Sequence, residues 1–272
     1  MGTYQKRLEQ HLSRYRRDRL GVPHCGTFRH KGVDRPYGHT LPCELRWLNV
    51  PEPFRAEVRN HVVEHRIQLH RYFHHLNSSQ AFALSLFYPY LLHAAPALSN
   101  ALGAEPIAQW AFEDIPDPRE GTNVDVVLRS ESDAPIYCEV KLSESKFGTT
   151  RLDERHCRKI ETTYRPRLAG KVDPVLLMPE EFCASYQILR NLWHVATNPE
   201  ACVLFLLPRE NESLCSELVR VLPMVGSELR SRTRVAYIED ILDALAAPAA
   251  AVDDLRWYAA LLQAKYVLFP DA

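Results

Sequence analysis

Residues 121–148 read GTNVDVVLRSESDAPIYCEVKLSESKFG, and the fold turns on how that stretch is read. Two runs, 123–129 and 136–141, carry the aliphatic and aromatic residues of strands. The polar, proline-ended segment 130–135 between them suits a hairpin loop. Period-two alternation sets Val124, Val126 and Leu128 on one face of the first run, with Asp125 and Val127 on the other. In the second run Cys138 and Val140 share a face, and Tyr137, Glu139 and Lys141 share the opposite one. Pairing the two runs brings Asp125 beside Glu139 and Lys141. Two carboxylates and an ammonium on one sheet face are costly to bury. Magnesium accounts for them, because it takes oxygen ligands and ordinarily only one or two protein carboxylates. A lysine beside such a centre can position the attacking water and offset developing negative charge.

Asp125 followed by Glu139-Val140-Lys141 on the next strand resembles the PD-(D/E)XK nuclease superfamily, the restriction-endonuclease-like fold. The proline of that pattern is absent, and Val124 precedes Asp125. Further stretches are similar to a bacterial branch of restriction-endonuclease-like proteins. They are Asn77-Ser78-Ser79-Gln80-Ala81-Phe82 opening a helix, Glu144 and Phe147-Gly148 after the tripeptide, and Tyr186-Gln187-Ile188-Leu189-Arg190-Asn191 on a later helix. The resemblance spans roughly residues 60–210 and implies an α/β fold, a restriction-endonuclease-like core with a central mixed sheet flanked by helices. Helical additions at the N- and C-termini complete it.

The function the resemblance implies is metal-dependent hydrolysis of phosphodiester bonds, in DNA first, with RNA left open. Mg²⁺ is the expected cofactor and Mn²⁺ a substitute. Asp125 and Glu139 would ligate the metal, with the carbonyl of Val140 as a neutral third ligand. Lys141 would orient water, and Gln187 would position water or phosphate with Tyr186 behind it. Glu144 is a supporting candidate. In the superfamily the helix before the hairpin often carries an acid near the metal. Here that helix offers Gln80, and Glu64 and Glu113 are the alternatives. A catalytically inactive nucleic-acid-binding relative of the same fold is the other reading. Cutting both strands of a duplex commonly takes two centres, which is compatible with a homodimer.

Composition sets wider bounds. With 272 residues, 46% hydrophobic and 25% charged, the chain has the make-up of a globular protein with one large domain or one domain with extensions. A net charge of −1 argues against bulk electrostatic binding of nucleic acid and leaves room for a local basic surface. No apolar run is long enough to span a membrane. The start, Met1-Gly2-Thr3-Tyr4-Gln5-Lys6-Arg7, lacks the apolar core of a secretory signal. Seven scattered cysteines fit a reducing cytoplasm. Their spacing gives neither a zinc ribbon nor an iron–sulfur motif. No G-x-x-x-x-G-K-[ST] or G-x-G-x-x-G is present, so nucleotide-driven chemistry is unsupported.

Taken in order, residues 1–56 are expected to hold a basic helix (3–20) and a Pro/Gly-rich extension. Residues 57–247 are expected to hold the nuclease-like core, and 248–272 a C-terminal helix. The basic helix has two readings, a phosphate-contacting arm or a solvated helix whose apolar stripe packs inward. Residues 55–76 read as a histidine-rich helix, with His61/His65 and His70/His74 at zinc-ligand spacing but no H-E-x-x-H. A helix over 80–93 is capped by 77–79. Strand 107–112 leads to an acidic turn. After the hairpin, 153–168 reads as a basic helix. Arg151, just before it, and Arg155, Arg158 and Lys159 in its first two turns are the nucleic-acid-binding candidates. Helix 180–196 carries Gln187, Arg190, Asn191 and His194 as one polar strip. The apolar run 201–207 reads as a strand covered on both faces. Helix 212–224, strand 234–238, helix 239–245, an Ala-Pro linker at 246–251 and helix 253–267 close the chain.

Overall fold

The computed structural model describes residues 3–30, 32–247 and 255–268. Residues 248–251 of the expected linker, and the expected start of the last helix at Asp253, lie outside them. The chain divides into two compact units, Met1–Ile107 with Tyr237–Ala272, and Ala108–Ala236.

In the first unit α1 (Thr3–Asp18) buries Tyr4, Leu8 and Leu12 along the stripe read from the sequence. Its arginines divide: Arg7, Arg14 and Arg17 are exposed, while buried Arg16 donates from Nε to the Gly38 carbonyl at 2.8 Å. The Pro/Gly-rich segment contains an antiparallel hairpin, β1 (Thr27–His30) with β2 (Val33–Pro36). Helix α2 (Glu52–Glu64) stops well short of the expected 55–76. Arg66 adopts φ +52°, and the N–H groups of Ile67 and Arg66 close on Val62 O and Val63 O at 2.9 and 3.2 Å. That is a Schellman termination built without glycine. His70, His74 and His75 therefore lie in irregular backbone, not on a helix, with His75 bridging Thr40. Helix α3 (Ser79–His93) starts where Ser78 accepts the Ala81 N–H, and it buries Ala81 through Leu91 continuously. A short helix not read in the sequence follows, α4 (Ala95–Leu102), ended by Gly103 at φ +56°.

The second unit holds the sheet. Its strands are β3 (Ile107–Asp114), β4 (Val124–Ser130), β5 (Pro135–Val140), β6 (Cys202–Leu207) and β7 (Thr233–Tyr237), in the order β3-β4-β5-β6-β7. β4 and β5 pair antiparallel, and β5 and β6 parallel, so the sheet is mixed. The expected basic helix is α5 (Glu154–Lys159) and α6 (Arg165–Leu168) joined by a π turn at Ile160–Tyr164. The expected helix 180–196 is two helices, α7 (Pro179–Ala184) and α8 (Tyr186–Thr197), broken at Ser185. The break puts Tyr186 and Gln187 in the first turn of α8. Helices α9 (Glu212–Val221) and α10 (Ser227–Ser231) complete the unit. Val127, Tyr137, Val203 and Phe205 of the sheet pack against Ile188, Leu192 and Trp193 of α8 and Leu214 and Leu218 of α9. Burial of each such side chain stabilises by about 1.5–3 kcal/mol. The run 202–207 is buried on both faces, as its unbroken apolar character requires.

The chain then returns to the first unit with α11 (Ile238–Ala246) and α12 (Arg256–Tyr266). No helix among the described residues is long and apolar enough to cross a membrane.

Candidate active site

The hairpin register pairs Val126 with Cys138 and Val127 with Tyr137. One step further along, the same register sets Asp125 across from Glu139. The Val140 N–H donates to Asp125 Oδ2 at 2.7 Å. The Lys141 N–H instead goes to Leu206 O on β6. Residues alternate sides along a strand, and the N–H and C=O of one residue share a side, so the Val140 carbonyl faces Asp125 as well.

Glu139 is fully buried and accepts three hydrogen bonds, one short of the four its two oxygens can take. Its Oε1 accepts from Lys141 Nζ at 2.7 Å, and its Oε2 accepts from Arg190 Nη2 at 2.7 Å and Asn191 Nδ2 at 2.8 Å. Burial alone would raise the Glu139 pKa, but the Lys141 and Arg190 charges outweigh it and hold the carboxyl ionised. Lys141 loses stability as a cation by burial, yet Glu139, Asp125 and Glu144 together push it above its ordinary value, so it stays an ammonium. Asp125 has no such cation to itself. Burial, then the Glu139 charge, push its carboxyl up to about 8. The centre is thus one settled carboxylate and one frustrated carboxylate side by side.

Helix α8 supplies the wall over this face. Gln187, Arg190, Asn191 and His194 form the strip expected from their spacing, and the structure gives two of them a partner at the centre, through Glu139. Each of the four also has a buried polar atom with no hydrogen-bond partner: Gln187 Oε1, Arg190 Nε, Asn191 Oδ1 and His194 Nε2. Such groups are costly in a protein interior and mark places where a polar occupant is expected. Gln187 is seated by Gly148, whose φ of +134° and missing side chain make room: a Cβ there would lie 2.5 Å from the Gln187 Cδ and Oε1.

A second buried carboxylate, which the sequence reading missed, stands behind Arg190. Glu120 Oε1 accepts from Lys159 Nζ at 2.8 Å, Tyr164 OH at 2.5 Å and Tyr186 OH at 3.1 Å. Its Oε2 accepts from the Thr122 N–H at 2.9 Å and from the Thr122 hydroxyl. Burial works against the charge, but the bonds from Lys159, Thr122 and Tyr164 prevail and hold the carboxyl down to about 2. An acid whose folded pKa lies below its unfolded value of 4.5 stabilises the fold above that value, and the contribution disappears as pH falls through about 2. Glu120→Gln is therefore expected to cost about 2–3 kcal/mol at pH 7. In urea unfolding its gap from the wild type should narrow as the pH is lowered below 4.5. A gap independent of pH would mean that Glu120 is not held as an ion.

Glu144 is half-buried, accepts the Leu142 N–H at 2.7 Å and bears on Lys141. Tyr186 points to Glu120 rather than standing behind Gln187 alone. Arg151, Arg155 and Arg158 are exposed, and Arg158 pairs with Glu154 at 2.8 Å. Lys159 is half-buried and engaged by Glu120. Gln80 lies in the other unit, where its amide ties Gln68 and His70 to the start of α3 at 3.0 and 2.7 Å. Glu64 ends α2 in that unit too. Of the three candidates for the residue near the metal before the hairpin, Glu113 shares a unit with Asp125, and its charge bears on that carboxyl.

Among the described residues no group of three or more His, Cys, Asp or Glu side chains is arranged to hold a metal ion, so the histidines of 61–75 form no zinc centre of that kind. The pair Asp125 and Glu139 stays below that count and matches the one or two carboxylates magnesium ordinarily takes. All seven cysteines are free. A family model described as "Restriction Endonuclease associating with ARP" matches residues 9–267. No curated protein and no solved structure matches. The match agrees with the resemblance read from Asp125 and Glu139-Val140-Lys141, and with the mixed sheet flanked by helices.

Proposed function

Since the chain belongs to the family of restriction endonucleases associating with ARP, we propose that it is a Mg²⁺-dependent phosphodiesterase acting on DNA, with Asp125, Glu139 and Lys141 at its reaction centre. The observation that supports this most is the Asp125–Glu139 pair facing each other across the hairpin with the Lys141 ammonium 2.7 Å from Glu139.

The donor set fits a divalent cation. Asp125 is raised first by burial and then by the Glu139 charge, and a cation held between the two carboxylates would offset both. The Val140 carbonyl, on the Asp125 side of β5, adds a neutral oxygen of the kind Mg²⁺ accepts. Such a cation supplies Lewis-acid polarisation of the phosphoryl group and charge stabilisation in the transition state. The protein's own residues do the rest. Lys141 is an ammonium, so it acts by orienting water and by offsetting charge on the pentacoordinate phosphorus, not by abstracting a proton. Gln187 offers an unpartnered Oε1 that accepts a hydrogen bond from a water. Arg155 and Arg158, exposed on α5, would meet backbone phosphates. A homodimer would supply the second centre needed to cut both strands.

One observation favours a second reading, a nucleic-acid-binding relative without catalysis: Glu139 already satisfies its charge with Lys141 and Arg190. Cleavage assays separate the two. Linear duplex, plasmid, single-stranded DNA and RNA are incubated with Mg²⁺, Mn²⁺ or EDTA, using wild type and Lys141→Ala. Expected is cleavage that EDTA abolishes and Lys141→Ala slows by about 10²–10³-fold, the range for loss of one charge-stabilising group. Relaxation of intact plasmid would identify an endonuclease. Folded protein that cuts nothing, yet binds DNA, would support the second reading.

A further inference from the structure

Arg190 gives Glu139 less than it has to offer. A buried arginine facing a carboxylate frequently takes both oxygens in a fork of parallel N–H bonds. Here Glu139 receives one of them, from Nη2 to Oε2. The other terminal nitrogen, Nη1, lies 3.3 Å from Thr122 Oγ1. The Thr122 hydroxyl spends its proton on Glu120 Oε2, so what it turns toward Arg190 is a lone pair. Glu120 is itself fixed from the other side by Lys159, Tyr164 and Tyr186. The orientation of the guanidinium is thus set by a carboxylate that touches neither Asp125 nor Glu139 in the hydrogen bonds described above.

We propose that Glu120 and Thr122 form a latch that holds Arg190 off the second fork contact and so keeps a lone pair of Glu139 open to a divalent cation. The inference rests on Asp125 and Glu139 being the cation-binding carboxylates. Glu120 and Thr122 are positioning residues, since both act through Arg190. Without the latch, nothing draws Nη1 away, and the guanidinium closes on Glu139 as a bidentate pair. A cation must then compete with two N–H bonds in place of one. The buried Nε of Arg190, which has no partner, is consistent with a guanidinium placed by its terminal nitrogens rather than by its own best fit to Glu139.

The test is calorimetric titration of metal-free protein with Mn²⁺. Thr122→Val keeps the shape and removes Oγ1, and Thr122→Ser keeps the hydroxyl. Thr122→Val is expected to weaken Mn²⁺ binding roughly 3- to 10-fold, the factor one hydrogen bond commands. Thr122→Ser should bind as the wild type does. Glu120→Gln, which leaves the Thr122 proton uncommitted, should weaken binding by a similar factor. Lysine cannot fork, so in an Arg190→Lys background Thr122→Val should change affinity by less than about two-fold. Melting curves of each variant show that it is folded at the titration temperature. Equal affinity of wild type and Thr122→Val overturns the latch. So does a Thr122→Val loss that persists undiminished beside Arg190→Lys. Wild-type protein that binds no Mn²⁺ removes the assignment of Asp125 and Glu139 itself, and the latch with it, so the two failures are distinct.

Discussion

Asp125→Asn is expected to melt higher than the wild type without metal while cleaving DNA on the order of 10³-fold more slowly or worse. Both halves follow from one carboxylate. Asparagine keeps an oxygen for the Val140 N–H, so the hairpin loses no hydrogen bond. What it removes is a charge that burial and Glu139 both disfavour, with the Asp125 carboxyl pushed up to about 8 from 3.8. The sign is fixed by linkage. Between those two values the folded state binds more proton than the unfolded one, so this group makes wild-type stability fall as pH rises through the window. The variant lacks that slope. Its advantage should be absent near pH 4 and greatest at pH 8, about 1–2 kcal/mol once partial exposure is allowed for. That corresponds to roughly 3–6 °C in a unit of this size. Mg²⁺ should raise the melting temperature of the wild type and leave the variant unmoved. Melting in EDTA across pH 4–8, beside a cleavage rate, checks all of this. A variant that melts lower at pH 8, or cuts at the wild-type rate, contradicts the assignment.

Glu139→Ala should do the opposite to the fold. Lys141 and Arg190 are only 7% and 5% exposed, and both lose a charge partner with this one substitution. Breaking a buried pair from one side costs about 3–5 kcal/mol, because the remaining charge is left without compensation. Urea unfolding at pH 7 should show a loss of that size. Glu139→Gln should lose less, since it keeps an acceptor for Asn191. Adding Lys141→Met to Glu139→Ala should recover part of the deficit by removing one stranded charge. Stability equal to wild type in Glu139→Ala would mean that the two cations find other partners. The pairing at the centre would then be wrong. With both outcomes as expected, the two carboxylates would make opposite contributions, Glu139 to stability and Asp125 to the proposed function at the expense of stability. Such a division is common where a site must accept a cation that folding alone does not require.

How much of this was legible in the sequence depends on the periodicity involved. The hairpin was, because period-two alternation and a proline-ended loop fix both strands and set Glu139 and Lys141 on one face. The strip on α8 was visible at helical spacing, but spacing does not say which sheet residue a helix face meets. Arg190 and Asn191 therefore carried no role until Glu139 was found between them and Lys141. Glu120 left no signal at all. It sits in a turn closed by its own N–H and that of Gly121 on Asp117 O, and its partners arrive through a π turn that no simple period describes. The histidine-rich segment misled because its apolar and cationic residues continue a helical pattern past Glu64. The helix stops there on a left-handed Arg66, a position where glycine would have been the readable cue.

One measurement would decide whether the hairpin is a metal centre: anomalous diffraction at the manganese edge from crystals grown with Mn²⁺ and a DNA duplex. A peak is expected in contact with the carboxylates of Asp125 and Glu139 and near the Val140 carbonyl, lost in crystals of Asp125→Asn. A peak elsewhere at full occupancy, with nothing between those two carboxylates, would contradict it.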